Sequence, residues 1–354
     1  MLTIPGYNNL TLIYESTNSE VYQALREQDS KSVILKILKQ NYPSPQELTR
    51  YKQEYELTRY LQSDGVVETY DLIPYQRTLV IVLEDFGGQS LHNLTHGKAL
   101  AIAEFLPIAI KITKVLGEIH HHQIIHKDIN LANIVFNPET QQLKIIDFGI
   151  ATQLTRENPT LKNPNVLEGT LPYISPEQTG RMNRSLDYRT DFYSLGVSFY
   201  KLLTGQLPFI TNDALELVHC HIAKMPPLLG GRRNPPLTPP KRGTGIHSQL
   251  LFPGGTHPQP LPGGEEIPEM VGNIVMKLMA KNAENRYQSA WGIQADLENC
   301  LQQLQTNGKI EQFPLATQDI SDKFQIPQKL YGREGEIATL LAAFNRITSE
   351  QQAT

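Results

Sequence analysis

The chain has 354 residues, 40% of them hydrophobic and 19% charged, with a net charge of −4. That is enough chain for one large domain or two ordinary ones with a substantial core, and its charge gives nucleic acid and anionic membranes little hold as main partners. Only two cysteines occur, Cys220 and Cys300, outside any metal-ligand spacing, which argues against a disulfide framework and for a reducing, cytoplasmic setting.

The N-terminus lacks a basic stretch followed by an apolar run, so it does not read as a signal peptide. No apolar run approaches the ~18 residues that span a bilayer, so membrane insertion is not expected. Residues 10–15, 21–26 and 32–38 are β-favouring runs separated by polar turns and predict three strands. After Pro43 and Pro45, Leu48, Tyr51, Tyr55, Leu57 and Leu61 recur at near-helical spacing, which predicts a helix over 46–62. Two further strands are predicted at 66–73 and 78–83, closed by Gly87 and Gly88. The pattern then turns helical, at 101–122, 191–203, 213–223, 268–281 and 290–304. Strands first and helices after predict two lobes.

Residues 226–264 belong to neither lobe: ten Pro and eight Gly fall within them. Such a composition buries too little apolar surface to offset its ordering entropy and predicts a disordered insertion. A neutral insertion in a surface loop is the simpler account, since long loops cost little stability; a proline-rich docking segment is the alternative. His120, His121 and His122 are consecutive, so a helix end accounts for them better than a metal site.

The densest chemistry lies in Ile125-His126-Lys127-Asp128-Ile129-Asn130-Leu131-Ala132-Asn133. An aspartate followed five residues on by an asparagine is the spacing of a catalytic loop that orients a hydroxyl and holds a metal ion. Fourteen residues beyond Asn133, a strand-like run ends in Asp147-Phe148-Gly149, which places a second metal-binding carboxylate. Together these motifs resemble the eukaryotic-type serine/threonine protein kinase family, over about residues 7–301. The resemblance implies an α+β, two-lobed protein kinase fold over 7–304, with a β-rich N-lobe at about 7–84 and a helical C-lobe at about 89–304.

On that resemblance Lys36, in Val33-Ile34-Leu35-Lys36, would meet the α- and β-phosphates of ATP, with Glu54 as its ion-pair partner. Glu84 and Phe86 would bind adenine from the hinge. Asp128 would accept the substrate proton, and Asn133 and Asp147 would hold Mg²⁺ or Mn²⁺. Gly169 to Glu177 is similar to the substrate end of an activation segment. In it Thr170 would bond Asp128 and mark serine/threonine specificity, and Glu177 would pair with Arg286. Asp191 would hold the catalytic-loop backbone. Thr155 and Thr160 are candidate regulatory phosphorylation sites, with Lys127 as phosphate partner.

Three departures stand out. Tyr14, Ser16 and Ser19 replace the phosphate-loop glycines, while Val21 is kept. Lys127 replaces an arginine and offers only a point charge. Asn130 replaces a lysine that supports the γ-phosphate, a loss worth roughly one to three orders of magnitude in rate. A pseudokinase scaffold of the same fold is therefore a rival reading, opposed by the intact Lys36, Asp128, Asn133 and Asp147. A small-molecule kinase is a second rival, opposed by the segment 169–177 with its Arg286 partner. Residues 305–323 read as a linker, and 324–354 resemble the truncated entry of an AAA-like ATPase module. That junction resembles large bacterial, cyanobacterial-like fusions of serine/threonine kinase, ATPase and sensor histidine kinase. The expected partners are protein substrates with Ser or Thr acceptors and C-terminal signalling modules of a longer protein.

Overall fold

The computed structural model describes residues 2–16, 18–39, 43–153, 168–181, 186–229 and 266–320. The first 84 residues build an antiparallel sheet of β1 (Tyr7–Glu15), β2 (Ser19–Arg26), β3 (Ser32–Leu38), β4 (Thr69–Tyr75) and β5 (Thr78–Glu84), in the order β1-β2-β3-β5-β4. Strand alternation sends successive side chains of β3 to opposite faces. Val33, Leu35 and Ile37 join Ala24, Val80 and Val82 in one small core, whereas Leu38 packs with Ile81 and with Tyr51 of α1 (Pro45–Tyr60) on the other. Lys36 shares that second face.

Helix α1 starts at a capping box that the sequence reading overlooked. Ser44 Oγ accepts from Glu47 N, Glu47 Oε2 accepts from Ser44 N at 2.8 Å, and Pro45 opens the first turn. Each satisfied donor is one that a bare helix start leaves open. Beyond the sheet, β6 (Gln89–Ser90) and α2 (Leu91–Thr95) lead into α3 (Ile102–His121). Four short strands follow, β7 (Ile124–Ile125), β8 (Ile134–Phe136), β9 (Leu143–Ile145) and β10 (Thr152–Gln153). They pair as β6-β8-β9 and β10-β7 and frame the catalytic-loop segment. The remaining helices are α4 (Arg189–Thr204), α5 (Ala214–Ala223), α6 (Glu269–Leu278) and α7 (Ala290–Asn307). Helix α4 is buried along almost its whole length and forms the axis of the large-lobe core with α3 and α6. The two-lobed kinase fold is thus present, β-rich then helical. Cys220 and Cys300 are both buried and free.

Two boundaries differ from the sequence reading. Leu229, assigned to the insertion, is 4% exposed and packs in the large-lobe core. Its carbonyl lies so close to Gly272 that a Cβ there would sit 2.2 Å away. The rest of the proposed insertion, from residue 230, lies outside the described residues. The proposed linker is not free of the domain either: Asp319 accepts from Gln288 N and Ser289 Oγ, and Asp296 accepts from Ala316 N at 2.8 Å. Ile310, Phe313, Leu315 and Ala316 add apolar area to the core. Buried apolar contacts are invisible to a composition argument, which sees only that the stretch is polar on average. The ATPase-like stretch, Thr155 and Thr160 lie outside the described residues.

Candidate functional site

Lys36 projects from β3 toward α1. Its Nζ donates to Glu54 Oε1 at 2.5 Å and to Asp147 Oδ1 at 3.0 Å, and its carbonyl accepts from Tyr51 Oη at 2.6 Å. Glu54 is 6% exposed. Burial alone would lower the Lys36 ammonium, but Asp147 and Glu54 hold it well above its ordinary range. Burial raises the Glu54 carboxyl, opposed by Lys36, whereas for Asp147 the pull of Lys36 outweighs burial and lowers it. The lysine is therefore a fixed cation between two carboxylates.

Asp128 is held at both carboxylate oxygens. Oδ1 accepts from Thr170 N at 2.8 Å, Oδ2 accepts from Asn133 Nδ2 at 3.0 Å, and the Asp128 N–H donates to His126 Nδ1. His126 thus carries its proton on Nε2, which donates to Ile146 O at 3.0 Å, while the ring packs on Phe148. Asp191 of α4, fully buried, accepts from the N–H groups of His126 and Lys127 at 2.8 and 2.7 Å and lies 2.8 Å from His120 Nε2. These bonds hold Lys127 at φ 64°, a left-handed conformation costly for a lysine. Asp147 is likewise left-handed, at φ 67°. His120 was assigned above only to a helix end; the buried carboxylate of Asp191 gives it a partner.

Thr170 bonds Asp128 through its backbone N–H, and its hydroxyl accepts from Asn130 Nδ2 at 3.2 Å. Asn130 is 4% exposed, and its Oδ1 accepts from Ala132 N and Asn133 N. A lysine has no acceptor and cannot make those two bonds.

Among the phosphate-loop residues Tyr14 is exposed, while Ser16, Ser19 and Val21 are half-buried. Ser16 N donates to Ser19 O at 2.8 Å, and Ser16 Oγ accepts from Ser19 N at 2.9 Å and from Asn18 N at 3.3 Å. A serine thus closes the turn from within, using amides that a glycine loop leaves open. At the hinge, Glu84 accepts from Lys144 Nζ at 2.6 Å and Asn137 Nδ2 donates to the Phe86 carbonyl at 2.8 Å. Neither Lys144 nor Asn137 was singled out in the sequence, since both partners lie far along the chain.

The donor set suits a divalent cation. Asp147 takes its bonds from Lys36 and Gly149 N on Oδ1, and its side chain is 43% exposed. Asn133 spends its amide nitrogen on Asp128, at the backbone carbonyl and at Oδ2, and its amide oxygen is the atom suited to a cation. Among the described residues no group of three or more His, Cys, Asp or Glu side chains converges. One carboxylate and one amide oxygen, completed by phosphate oxygens, match the sparse protein ligation of Mg²⁺.

A sheet lobe that presents a lysine between two acids, and a helical lobe that presents a clamped aspartate, define a protein kinase domain. The family model of the protein kinase domain matches residues 7–295, and the chain belongs to that family. Over 294 residues it is 30% identical to a probable serine/threonine-protein kinase of Clostridium perfringens, covering 82% of this chain and 38% of that protein. It is 29% identical over 290 residues to the serine/threonine-protein kinase PknB of Mycobacterium leprae, covering 79% of this chain and 40% of the relative. A hybrid signal transduction histidine kinase G of Dictyostelium discoideum is 32% identical over 199 residues, 51% of this chain and 5% of that protein. The chain spans about two fifths of the length of the two bacterial kinases. Use of ATP and a divalent metal follows from the family.

Proposed function

We propose that this domain is a serine/threonine protein kinase that moves the γ-phosphoryl group of ATP onto protein Ser or Thr hydroxyls in bacterial signal transduction. The observation that carries the reading is Lys36 bonded at once to Glu54 and Asp147, because a kinase needs that ion pair and that metal-binding aspartate in place together. Lys36 steadies the α- and β-phosphates, and the backbone of Glu84 and Phe86 reads adenine. Tyr14, Ser16, Ser19 and Val21 cover the nucleotide from above. Asp147 and Asn133 hold Mg²⁺, with Mn²⁺ as a substitute; the metal neutralises phosphate charge when bound. Asp128 accepts the proton of the attacking hydroxyl, its carboxylate aimed by Asn133 and by Thr170 N–H.

The partners are protein substrates, together with C-terminal signalling modules of a longer protein; the histidine kinase relative is consistent with such a fusion. Residues 324–354 would begin an ATPase module. No helix among the described residues is long and apolar enough to cross a membrane, and a cytoplasmic location fits the free, buried cysteines. A pseudokinase is the second reading, favoured by the self-closed Ser16 turn and by Asn130. Incubation with γ-labelled ATP and Mg²⁺ or Mn²⁺, followed by phosphoamino-acid analysis, separates the two. Label on serine or threonine is expected; nucleotide binding without any transfer would select the pseudokinase, and label on tyrosine alone would contradict the specificity.

A further inference from the structure

The catalytic loop contains a cation, Lys127, that takes no part in the phosphoryl transfer described above. The Lys127 side chain is 2% exposed, and a buried ammonium requires an anion to be tolerable. Glu168 supplies one: its Oε2 lies 3.6 Å from Lys127 Nζ. Its other oxygen, Oε1, lies 3.4 Å from Nη2 of Arg50 on α1. One carboxylate therefore reaches two elements, from a residue that begins the segment leading to Thr170.

Each end of that bridge leads directly to the chemistry. Arg50 lies four residues before Glu54, one turn along the same face of α1, and Glu54 is the residue that fixes Lys36. Lys127 adjoins Asp128. Gly169, next to Glu168, has φ 104° and approaches so closely that a Cβ would lie 3.1 Å from the Lys127 carbonyl. Gln178 Nε2 donates to that same carbonyl at 2.8 Å, and Thr170 N donates to Asp128. The backbone beyond Glu168 is thereby seated on the catalytic loop.

We propose that Glu168 is a positioning residue that ties α1 to the catalytic loop through Arg50 and Lys127, so that the domain reaches its working geometry without a phosphate on the activation segment. The proposal rests on the kinase reading above. A phosphate on such a loop acts by giving nearby cations an anion to pair with; here a genetically encoded carboxylate already stands between two cations. The chemistry of Lys127 agrees with this. A lysine pairs with a single charge and gains little from the forked oxygens that an arginine would exploit. The separations of 3.4 and 3.6 Å describe a charge interaction more than a hydrogen bond, so charge, not shape, is the property to test. The regulatory role assigned above to Thr155 and Thr160 through Lys127 becomes dispensable.

The test uses the full chain in the Thr155→Ala/Thr160→Ala background, treated with phosphatase, with casein as acceptor. Turnover, the Michaelis constant for ATP and the dissociation constant for ATP are measured for that parent and for Glu168→Gln, Glu168→Asp and Arg50→Gln. The proposal expects an active parent, a loss of about tenfold or more in kcat for Glu168→Gln with ATP affinity changed less than about twofold, and partial recovery in Glu168→Asp. It also expects the Arg50→Gln/Glu168→Gln double variant to be no slower than Glu168→Gln alone, because both changes cut one bridge. If Glu168→Gln does not fold, Arg50→Gln, altered at an exposed side chain, carries the comparison. Glu168→Gln or Arg50→Gln turnover within twofold of the parent overturns the proposal. So does a parent that is inactive while the phosphorylated wild type is active. A wild type no better than Asp128→Asn in either phosphorylation state would instead overturn the kinase reading, and this proposal with it.

Discussion

Replacing Arg286 by methionine should cost more stability than any surface change in the domain. Arg286 is 1% exposed, and its guanidinium donates to Glu177 Oε1 at 2.5 Å and Oε2 at 2.9 Å. It also donates to the carbonyls of Ala280, Arg189 and Lys281 at 2.8, 2.9 and 3.2 Å. Methionine fills much of the volume but leaves the Glu177 carboxylate buried and without its cation, and breaking a buried pair in this way costs about 3–5 kcal/mol. The sign with pH follows from Glu177, whose carboxyl would be raised by burial but is held below its ordinary range by Arg286. In the wild type this stabilisation is present above the unfolded carboxyl value, about 4.3, and is lost as pH falls through the lower folded value. In Arg286→Met the cation is gone, burial raises Glu177, and protonation relieves the penalty as pH falls. The deficit should therefore shrink between pH 8 and pH 5, by at most about 1.4 kcal/mol per unit. Urea unfolding at both pH values measures it, with Glu177→Leu/Arg286→Met as the paired control expected to lose less than the sum of the single changes. A deficit below about 1 kcal/mol at pH 8, or one independent of pH, would refute the reasoning.

Two further outcomes are expected. Ser16→Ala frees the Asn18 and Ser19 amides from the Ser16 hydroxyl; one hydrogen bond of about 1 kcal/mol corresponds to roughly fivefold tighter ATP binding by calorimetry, and weaker binding would show that the hydroxyl serves the nucleotide instead. Deleting residues 230–264 should leave the melting temperature nearly unchanged, while Leu229→Ala should cost about 2–5 kcal/mol; equal and small effects of both would contradict the core placement of Leu229.

The fold was legible because alternation in residues 32–38 and helical spacing in 101–122 survive translation into β3 and α3 with only terminal shifts. The site was legible where residues lie at fixed offsets, as Asp128 and Asn133 do within one loop. It was less legible where pairing depends on folding distant segments together. Nothing local joins Lys144 to Glu84, or His120 to Asp191. Glu168 reads as one more acid until α1 and the catalytic loop are brought to either side of it. Asn130 shows the opposite limit: its substitution was plain in the sequence, but its work in capping Ala132 and Asn133 was not. Leu229 and residues 308–320 escaped because burial is a property of neighbours, not of composition.

The central claim is that Asp128, clamped by Asn133 and Thr170, moves the proton of a substrate hydroxyl. Its most direct test compares ATP binding and phosphate incorporation from labelled ATP for wild type and Asp128→Asn. The account predicts dissociation constants for ATP within about threefold of each other and a loss of transfer of about 10²–10⁴-fold in the variant. Equal incorporation by the two proteins would contradict it.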